Sequence, residues 1–217
     1  MSDTIKILIA DDHPIFRQGI VKIVEQDESF TIVGEASEGN ELMNKITELE
    51  PEIIVTDISM PGLSGLEVLQ KCQEKRLAVN FIILTMYKDE EYFNEALNLG
   101  VKGYLLKDNA AKDLLNCLRN VSEGNHFICP ELSHLLLERR SKIHSLENTT
   151  PGLADLTPSE KKILKLIAQN KTSKEIAEEL FVSVRTVQNH RTNIAQKLGL
   201  KGHHKLLQFA IENKAFL

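Results

Sequence analysis

The chain has 217 residues, of which 42% are hydrophobic and 26% charged, a composition typical of folded globular proteins that argues against disorder of the whole chain. Its three cysteines have no CxxC spacing and leave one thiol without a pair, so we expect neither a disulfide framework nor a cysteine zinc site. No signal-peptide pattern and no apolar run approaching about eighteen residues is present. We therefore expect a cytoplasmic protein that is neither exported nor membrane-spanning.

The net charge of −5 is distributed unevenly along the chain. Residues 153–217 contain 11 Lys and Arg against 6 Asp and Glu, a net charge of +5, which leaves −10 for residues 1–152. Opposite charges in the two parts indicate two domains with different partners. The basic part is a candidate for binding nucleic acid, whereas the acidic part should repel DNA.

Short apolar runs alternate with segments of helical periodicity in the first part of the chain. The predicted strands are Ile5–Ala10, Thr31–Ala36, Ile53–Thr56, Phe81–Thr85 and Gly103–Leu106. The predicted helices that follow them in turn are Pro14–Gln26, Asn40–Leu49, Leu66–Lys75, Glu90–Leu99 and Ala110–Glu123. Five β–α repeats predict an α/β domain with a doubly wound, five-stranded parallel sheet, flavodoxin-like with strand order 2-1-3-4-5.

The pattern is weaker over residues 125–152. A short helix is predicted from Pro130 to Arg140, and the polar stretch SKIHSLENTTPG that follows it ends in Pro-Gly. We interpret residues 125–152 as a linker with a short helix, which joins a first domain over residues 1–124 to a second over residues 153–217.

Residues 153–217 contain no convincing strand but several helix signals. Thr157 and Thr172 each stand three residues before a glutamate, the spacing of a capping box, and Ser183 is a candidate N-cap for a further helix. A last helix is predicted over His203–Asn213. These signals predict a small all-α, four-helix domain with a helix-turn-helix at its centre.

Polar residues follow four of the predicted strands at their carboxyl ends. They are Asp11 and Asp12 after the first strand, Asp57 at the third, Thr85 at the fourth and Lys107 at the fifth. Because these ends meet at one edge of a parallel sheet, we expect the side chains to converge. Taken singly, each has an ordinary explanation as a helix cap or a solvated loop residue, and only the joint placement distinguishes the cluster.

The cluster has the chemistry of a metal and phosphate site. Adjacent carboxylates repel one another, and a hard cation such as Mg²⁺ with oxygen ligands stabilises such an arrangement. Asp57 has the position of a nucleophile that attacks phosphorus to form an aspartyl phosphate. Lys107 would supply a positive charge to the phosphoryl oxygens and Thr85 a hydroxyl donor.

The segments ILIADDHPIFRQGI, IIVTDISMPGLSGLEVL and FIILTMYKDEEYFNEALNLGVKGYLLKD resemble the receiver domain of bacterial two-component response regulators. The resemblance implies that Asp57 accepts a phosphoryl group from a histidine kinase. It implies a Mg²⁺ site formed by Asp11, Asp12, Asp57 and the backbone carbonyl of Ser59. It also implies a switch pair, Thr85 and Tyr104, in which the hydroxyl moves toward the phosphate and the tyrosine ring turns into the room it leaves.

The stretch LTPSEKKILKLIAQNKTSKEIAEELFVSVRTVQNHRTNIAQKLGL resembles the LuxR-type helix-turn-helix of the NarL/FixJ subfamily. The resemblance makes Val184–Leu198 the recognition helix, whose N-terminal half enters the major groove of double-stranded DNA. The candidate contacts on its exposed face are Arg185, Thr186, Gln188, Asn189, Arg191 and Thr192. Lys171, Thr172 and Lys174 precede it and suit a phosphate at a helix N-terminus, although a solvated surface is as good an explanation of these charges.

Together the two resemblances imply a phosphorylation-dependent, DNA-binding transcriptional regulator that forms a homodimer on phosphorylation or on DNA. The alternative is a small Asp-dependent phosphotransfer or phosphohydrolase enzyme. Residue 59 is serine, so no second aspartate acts as acid and base two residues after Asp57, and we expect at most slow self-phosphorylation and self-dephosphorylation. A third interpretation is a receiver that binds DNA without needing phosphate.

Overall fold

The computed structural model describes residues 4–202 and 204–217, so that His203, the predicted start of the last helix, lies outside the described residues. The chain divides into two compact units, the first ending at Leu135 and the second beginning at Leu136. Each has its own cluster of buried apolar side chains. Among the described residues, no helix has the length and apolar character needed to cross a membrane.

The first unit is built on one parallel sheet with helices between its strands. The strands are β1 Ile5–Ala10, β2 Phe30–Ala36, β3 Ile53–Asp57, β4 Asn80–Thr85, β5 Gly103–Leu106 and β6 Phe127–Ile128. The helices are α1 Pro14–Val24, α2 Gly39–Leu49, α3 Gly65–Glu74, α4 Glu90–Asn98 and α5 Ala110–Ser122. The strand order β2-β1-β3-β4-β5-β6 confirms the predicted doubly wound order of the first five strands.

The register of the sheet positions the polar residues that follow its strands. Every residue of β3 and of β5 is buried, because helices cover both faces of a parallel sheet. Ala10 pairs with Thr56, and Thr85 pairs with Leu106. The residues after β1, β3, β4 and β5 therefore lie at the same edge of the sheet.

The predicted number of strands was wrong by one, because the segment predicted as a linker contributes β6. This two-residue strand pairs in parallel with β5, with Gly103 opposite Phe127 and Tyr104 opposite Ile128. The Cys129 amide extends the pairing by donating to the Tyr104 carbonyl over 3.1 Å. Two residues are too few to show a strand periodicity, so the sequence pattern gave no sign of β6.

The linker helix is also longer than predicted. A 3-10 turn over Pro130–Leu132 leads into helix α6, Ser133–Thr149, whereas the prediction ended at Arg140. Within α6 only Leu135 is buried. The polar sequence after Arg140 therefore belongs to a largely exposed helix and not to irregular chain, and polarity alone does not distinguish the two.

The second unit contains the four predicted helices. They are α7 Pro158–Ala168, α8 Ser173–Leu180, α9 Val184–Lys197 and α10 Lys205–Glu212. Each contributes apolar side chains to one core, among them Ile167, Ile176, Val187, Ile194 and Ala210. Helices α8 and α9, joined by three residues, form the helix-turn-helix.

Capping boxes fix the starts of two of these helices. Thr157 Oγ1 accepts from the Glu160 amide over 3.3 Å, and a Glu160 carboxylate oxygen accepts from the Thr157 amide over 2.8 Å. Thr172 and Glu175 repeat the arrangement at α8. Glu160 is buried and also accepts from Lys197 Nζ over 2.7 Å, which ties the start of α7 to the end of α9.

The charge on Glu160 should stabilise the second unit. The hydrogen bond from Lys197, together with the one from the Thr157 amide, lowers the pKa of Glu160 below its ordinary value of 4.5. We expect Glu160→Gln to lose on the order of 1 kcal/mol of unfolding free energy near neutral pH. Because the pKa is lowered on folding, the wild-type advantage is present above 4.5 and disappears as the pH falls through the folded-state pKa.

Hydrogen exchange of amides in α7 and α9, followed in the full chain, measures this difference. Glu175→Gln is the matched control, because the Glu175 carboxylate closes the equivalent box at an exposed position. An equal loss of protection in the two variants, or a Glu160→Gln deficit that persists at low pH, would contradict the role assigned to the buried pair.

Candidate functional site

The structure brings the residues predicted at the strand ends together at one edge of the sheet. Asp11, Asp57, Thr85 and Lys107 are all buried, with Asp57 only 4% exposed, and Asp12 is partly buried beside them. One carboxylate oxygen each of Asp11, Asp12 and Asp57 and a ring nitrogen of His13 lie within 4.8 Å of one another. This group forms an acidic pocket.

Lys107 connects two of the carboxylates of the pocket. Its ammonium nitrogen lies 2.7 Å from an oxygen of Asp11 and 2.7 Å from Oδ2 of Asp57. The other oxygen of Asp57 accepts from the Ile58 amide over 2.7 Å. Both oxygens of Asp57 are thus held, and its carboxylate has a fixed orientation at the end of β3.

Burial and neighbouring charge have opposite effects on the pKa of Asp57 and on the pKa of Lys107. Burial raises the pKa of Asp57 above its ordinary value, against the opposing effect of Lys107. Burial by itself would lower the pKa of Lys107, but hydrogen bonds to Asp11 and Asp57 outweigh it, and the pKa is raised. Lys107 therefore keeps its positive charge at neutral pH. The acidic pocket thus contains one ammonium group and three carboxyl groups.

Three neighbours of the pocket were missed in the sequence. His13 Nδ1 lies 2.8 Å from an oxygen of Asp12, although most of its ring is exposed. Arg17 donates to the Asp11 carbonyl over 2.5 Å and pairs with Glu35, and the Phe16 ring lies under Lys107 Nζ at 4.8 Å. All three follow Asp12 within five residues, at the start of α1, and this spacing was the signal that the sequence offered.

Thr85 and Tyr104 lie on neighbouring strands and are both fully buried. The Thr85 hydroxyl accepts from the Tyr87 amide over 3.1 Å. The Tyr104 ring packs edge-on against Phe93 with centroids 5.2 Å apart, and its hydroxyl has no hydrogen-bond partner among the described residues. The Tyr104 ring is therefore enclosed in the core of the first unit.

After β3 the chain turns back and its backbone passes close to the end of that strand. Ser59 is exposed there, two residues after Asp57. Gly65 begins α3 directly over the strand, and a Cβ at this position would lie 2.1 Å from the Asp57 carbonyl oxygen. No side chain fits at Gly65 without moving the backbone that carries Asp57.

A second candidate surface lies on α9. Arg185, Gln188, Asn189 and Thr192 are exposed, and Thr186 and Arg191 are half-buried. Buried residues of the same helix, Val187 and Ile194, occupy the opposite face. The helix contains no acidic residue, whereas α7 and α8 each have a glutamate in the first turn. Its positive N-terminal dipole is therefore not neutralised by its own residues.

The predicted contacts at the start of α8 are partly engaged within the protein. Lys171 Nζ lies 2.6 Å from a carboxylate oxygen of Glu179, and Thr172 forms the capping box. Lys174 is exposed. Lys171 and Thr172 would thus exchange existing partners for a phosphate, whereas Lys174 is already available to solvent.

Comparison with known proteins identifies a family for each unit. Residues 7–119 match the response regulator receiver domain, and residues 154–210 match the bacterial regulatory proteins of the luxR family. The chain is 38% identical over 212 residues to the oxygen regulatory protein NreC of Staphylococcus carnosus, covering 96% of this chain and 98% of that protein. NreC of Staphylococcus aureus has the same identity and coverage.

Solved structures give the same result. The RcsB response regulator of Salmonella typhimurium is 30% identical, with a TM-score of 0.60 over 95% of this chain and 98% of that chain. RcsB in complex with DNA is 29% identical, with a TM-score of 0.59 over the same shares. The receiver domain of NarL from Mycobacterium tuberculosis is 26% identical, with a TM-score of 0.55, covering 57% of this chain and 99% of that domain.

The close approach at Gly65 gives a prediction for the stability of the first unit. We expect Gly65→Ala to lose about 1–3 kcal/mol, because the added methyl group meets backbone that cannot move independently of Asp57. Gly19→Ala is the matched control: nothing lies within 4 Å of its Cβ position in α1, and alanine should stabilise the helix by up to about 1 kcal/mol.

Urea unfolding followed by tyrosine absorption measures both changes, because all three tyrosines lie in the first unit. Opposite shifts of the two midpoints are expected. A loss of equal size in both variants would show that glycine is needed for reasons other than the contact with Asp57.

Proposed function

We propose residue roles for this chain, which belongs to the response regulator family. The chain combines a receiver domain with a LuxR-type helix-turn-helix domain. It is a phosphorylation-dependent, DNA-binding transcriptional regulator. Its partners are a sensor histidine kinase and double-stranded DNA. For the domain boundaries we propose a receiver over residues 1–124, a linker over 125–152 and a DNA-binding domain over 153–217. A cytoplasmic location follows from access to DNA.

Asp57 is the residue that accepts the phosphoryl group. The observation that carries this proposal is the buried Asp57 carboxylate, held between the Ile58 amide and Lys107 at the edge of the sheet. One of its oxygens forms a bond to phosphorus while the P–N bond of a phosphohistidine on the kinase breaks, and the electron pair of that bond remains on the imidazole. Lys107 then transfers its hydrogen bond from the carboxylate to a phosphoryl oxygen.

The acidic pocket fits Mg²⁺. Asp11, Asp12 and Asp57 supply carboxylate oxygens close together, Ser59 would add its backbone carbonyl, and one ammonium does not balance three carboxylates. These are the hard oxygen donors that Mg²⁺ prefers, with remaining positions for water and phosphate. The ion would neutralise charge on the phosphoryl oxygens during transfer. Lys107 and the Ile58 amide orient Asp57 for the reaction, and Arg17 fixes the β1–α1 turn through the Asp11 carbonyl.

Thr85 and Tyr104 carry the change from the pocket to the surface of the receiver. The Thr85 hydroxyl would leave the Tyr87 amide and donate to a phosphoryl oxygen. Tyr104 has no hydroxyl partner to lose among the described residues, so phosphorylation would stabilise its buried position without breaking a hydrogen bond. The switch is thus a shift in population toward an arrangement that is already accessible.

The DNA-binding surface combines base and phosphate contacts. Gln188 and Asn189 are exposed on α9 and suit adenine, whereas Arg185, Thr186, Arg191 and Thr192 suit phosphates or neighbouring base edges. Lys171, Thr172 and Lys174 would hold a phosphate at the start of α8. RcsB has been solved as dimers bound to DNA, and we propose that this chain forms a homodimer on phosphorylation or on DNA.

The phosphorylation site is tested with acetyl phosphate and Mg²⁺. We expect the wild-type chain to gain the mass of one phosphoryl group and Asp57→Asn to gain none. Asp108→Asn is the matched control, because Asp108 follows Lys107 but its side chain is exposed. Intact-protein mass spectrometry measures the gain, and peptide mapping locates it.

The same experiment separates the regulator from an enzyme. One stable phosphoryl group with slow self-dephosphorylation is the expected result. Rapid release of phosphate over many turnovers would favour the Asp-dependent phosphohydrolase instead. DNA affinity that is equal for wild type and Asp57→Asn, with and without the phosphodonor, would mean that DNA binding does not depend on phosphorylation.

The two kinds of DNA contact respond differently to salt. We expect Lys174→Ala to weaken binding to all sequences and to reduce the slope of log affinity against log salt by about 1. Gln188→Ala should leave that slope unchanged but relax the preference at one base pair. Fluorescence anisotropy over a salt series measures both, and an unchanged slope for Lys174→Ala would remove it from the phosphate contacts.

A further inference from the structure

Phe16 contacts the acidic pocket with the face of its ring. The ammonium nitrogen of Lys107 lies over this ring, 4.8 Å from its centroid. The quadrupole of an aromatic ring attracts a cation at this distance, and the attraction is larger where the cation is shielded from water. The Lys107 side chain is only 5% exposed, so the contact is a shielded one. Phe16 is thus a third partner of Lys107, beside the two carboxylates.

The start of α1 holds the Phe16 ring in place. The side chain is half-buried and packs against the core of the first unit. Arg17, the next residue, donates to the Asp11 carbonyl over 2.5 Å and pairs with Glu35 on β2. These contacts tie the first turn of α1 both to the end of β1 and to β2. The ring is therefore fixed beside Lys107 in the free protein.

The ring attracts Lys107 in a way that does not depend on the carboxylates. Asp11 and Asp57 each lie 2.7 Å from the ammonium nitrogen, but both are also proposed ligands of Mg²⁺. When the ion binds, their negative charge is shared with it, and the ion and the ammonium group repel one another. The ring of Phe16 offers no oxygen ligand to a hard cation, so it is not shared. Its attraction for Lys107 persists in the presence of the ion.

We propose that Phe16 is a positioning residue for phosphoryl transfer, which keeps the Lys107 ammonium in the pocket when Mg²⁺ occupies it. Lys107 is needed there at that moment, because its hydrogen bond is to pass from Asp57 to a phosphoryl oxygen. A ring face imposes no hydrogen-bond direction on the ammonium, so this exchange does not break the contact. The inference rests on the proposed function and adds to it a residue that acts through Lys107.

Phe16→Leu removes the ring face but keeps an apolar side chain against the core. Because Lys107 then leaves the pocket more easily, Mg²⁺ alone should bind up to about fivefold more tightly. At saturating Mg²⁺, phosphorylation by acetyl phosphate should be up to about fivefold slower, because Lys107 is less often in place. Fivefold corresponds to about 1 kcal/mol, within the range of cation–π contacts, and a population shift cannot exceed the interaction that is lost.

Both effects are measured on the full-length protein. A Mg²⁺ titration followed by NMR of the Ile58 amide, which donates to Asp57, gives the affinity for the ion. Intact-protein mass spectrometry over time gives the rate of phosphorylation, and the small phosphodonor keeps kinase docking out of the comparison. Opposite changes in affinity and rate are the signature of a positioning role, since loss of packing alone would not make the ion bind more tightly.

Two further variants separate the ring from its packing. Phe16→Tyr keeps the ring face and should retain the wild-type affinity and rate. Val21→Ala is the matched control for packing, because Val21 lies on the same helix and packs against the same core but has no ring. It should lower the stability of the first unit and change neither constant. In a Lys107→Met background, Phe16→Leu should leave Mg²⁺ affinity unchanged, because there is no ammonium group to hold.

Three results would overturn the inference. One is a Phe16→Leu protein in which Mg²⁺ affinity and phosphorylation rate decrease together, since the pocket would then be distorted. Another is a Phe16→Leu protein in which both are unchanged. The third is an effect of Phe16→Leu on Mg²⁺ affinity that is equal with and without Lys107. Failure of the proposed function is distinguishable, because the wild-type chain would then gain no phosphoryl group, and the Mg²⁺ titrations would still decide the role of Phe16.

Discussion

The ammonium group of Lys107, enclosed between Asp11 and Asp57, is the interaction on which the receiver depends. Without it, two buried carboxylates would lie at the same edge of the sheet with no charge to offset their repulsion. With it, the edge remains acidic but folds, and Asp57 is held in one orientation. The same group that stabilises the free protein is the one that a phosphoryl group would attract. Stability and phosphate binding therefore compete for a single positive charge.

Sequence patterns predicted the sheet well because its central strands β3, β4 and β5 are buried on both faces along almost their whole length. The bounds of β1 and β5 agree with the prediction, since each is an apolar run that ends abruptly at a polar residue. The end of α1 was placed two residues late, at Gln26 and not at Val24, because helix periodicity continues into the turn that follows. β6 and the end of α6 were missed, since one is stabilised by pairing with β5 and the other is a polar, exposed helix.

The candidate site could be predicted as a set of residues but not as a set of contacts. Strand order brings the polar residues at the strand ends to one edge, so their convergence follows from the sequence. Which oxygen of Asp57 pairs with Lys107, and that His13 and Arg17 join the pocket, depends on side-chain conformations that no spacing specifies. The exposure of the Phe181 side chain, which is 81%, could not be predicted from the sequence either, since an apolar residue after a helix is ordinarily expected to pack inward.

The pairing of β6 with β5 gives the linker an anchor inside the receiver. Tyr104 is paired with Ile128, and its carbonyl accepts from the Cys129 amide, so the chain leaving the receiver is hydrogen-bonded to the strand that carries Tyr104. In the next turn of the chain, the side chains of Leu132 and Leu135 are buried. Residues 127–135, which lie between the two family matches, are thus packed onto the receiver and are not a free linker. An insertion within residues 127–135 would disturb both the pairing with β5 and the packing of Leu132 and Leu135, so the receiver would tolerate added length there less well than in an unpaired loop.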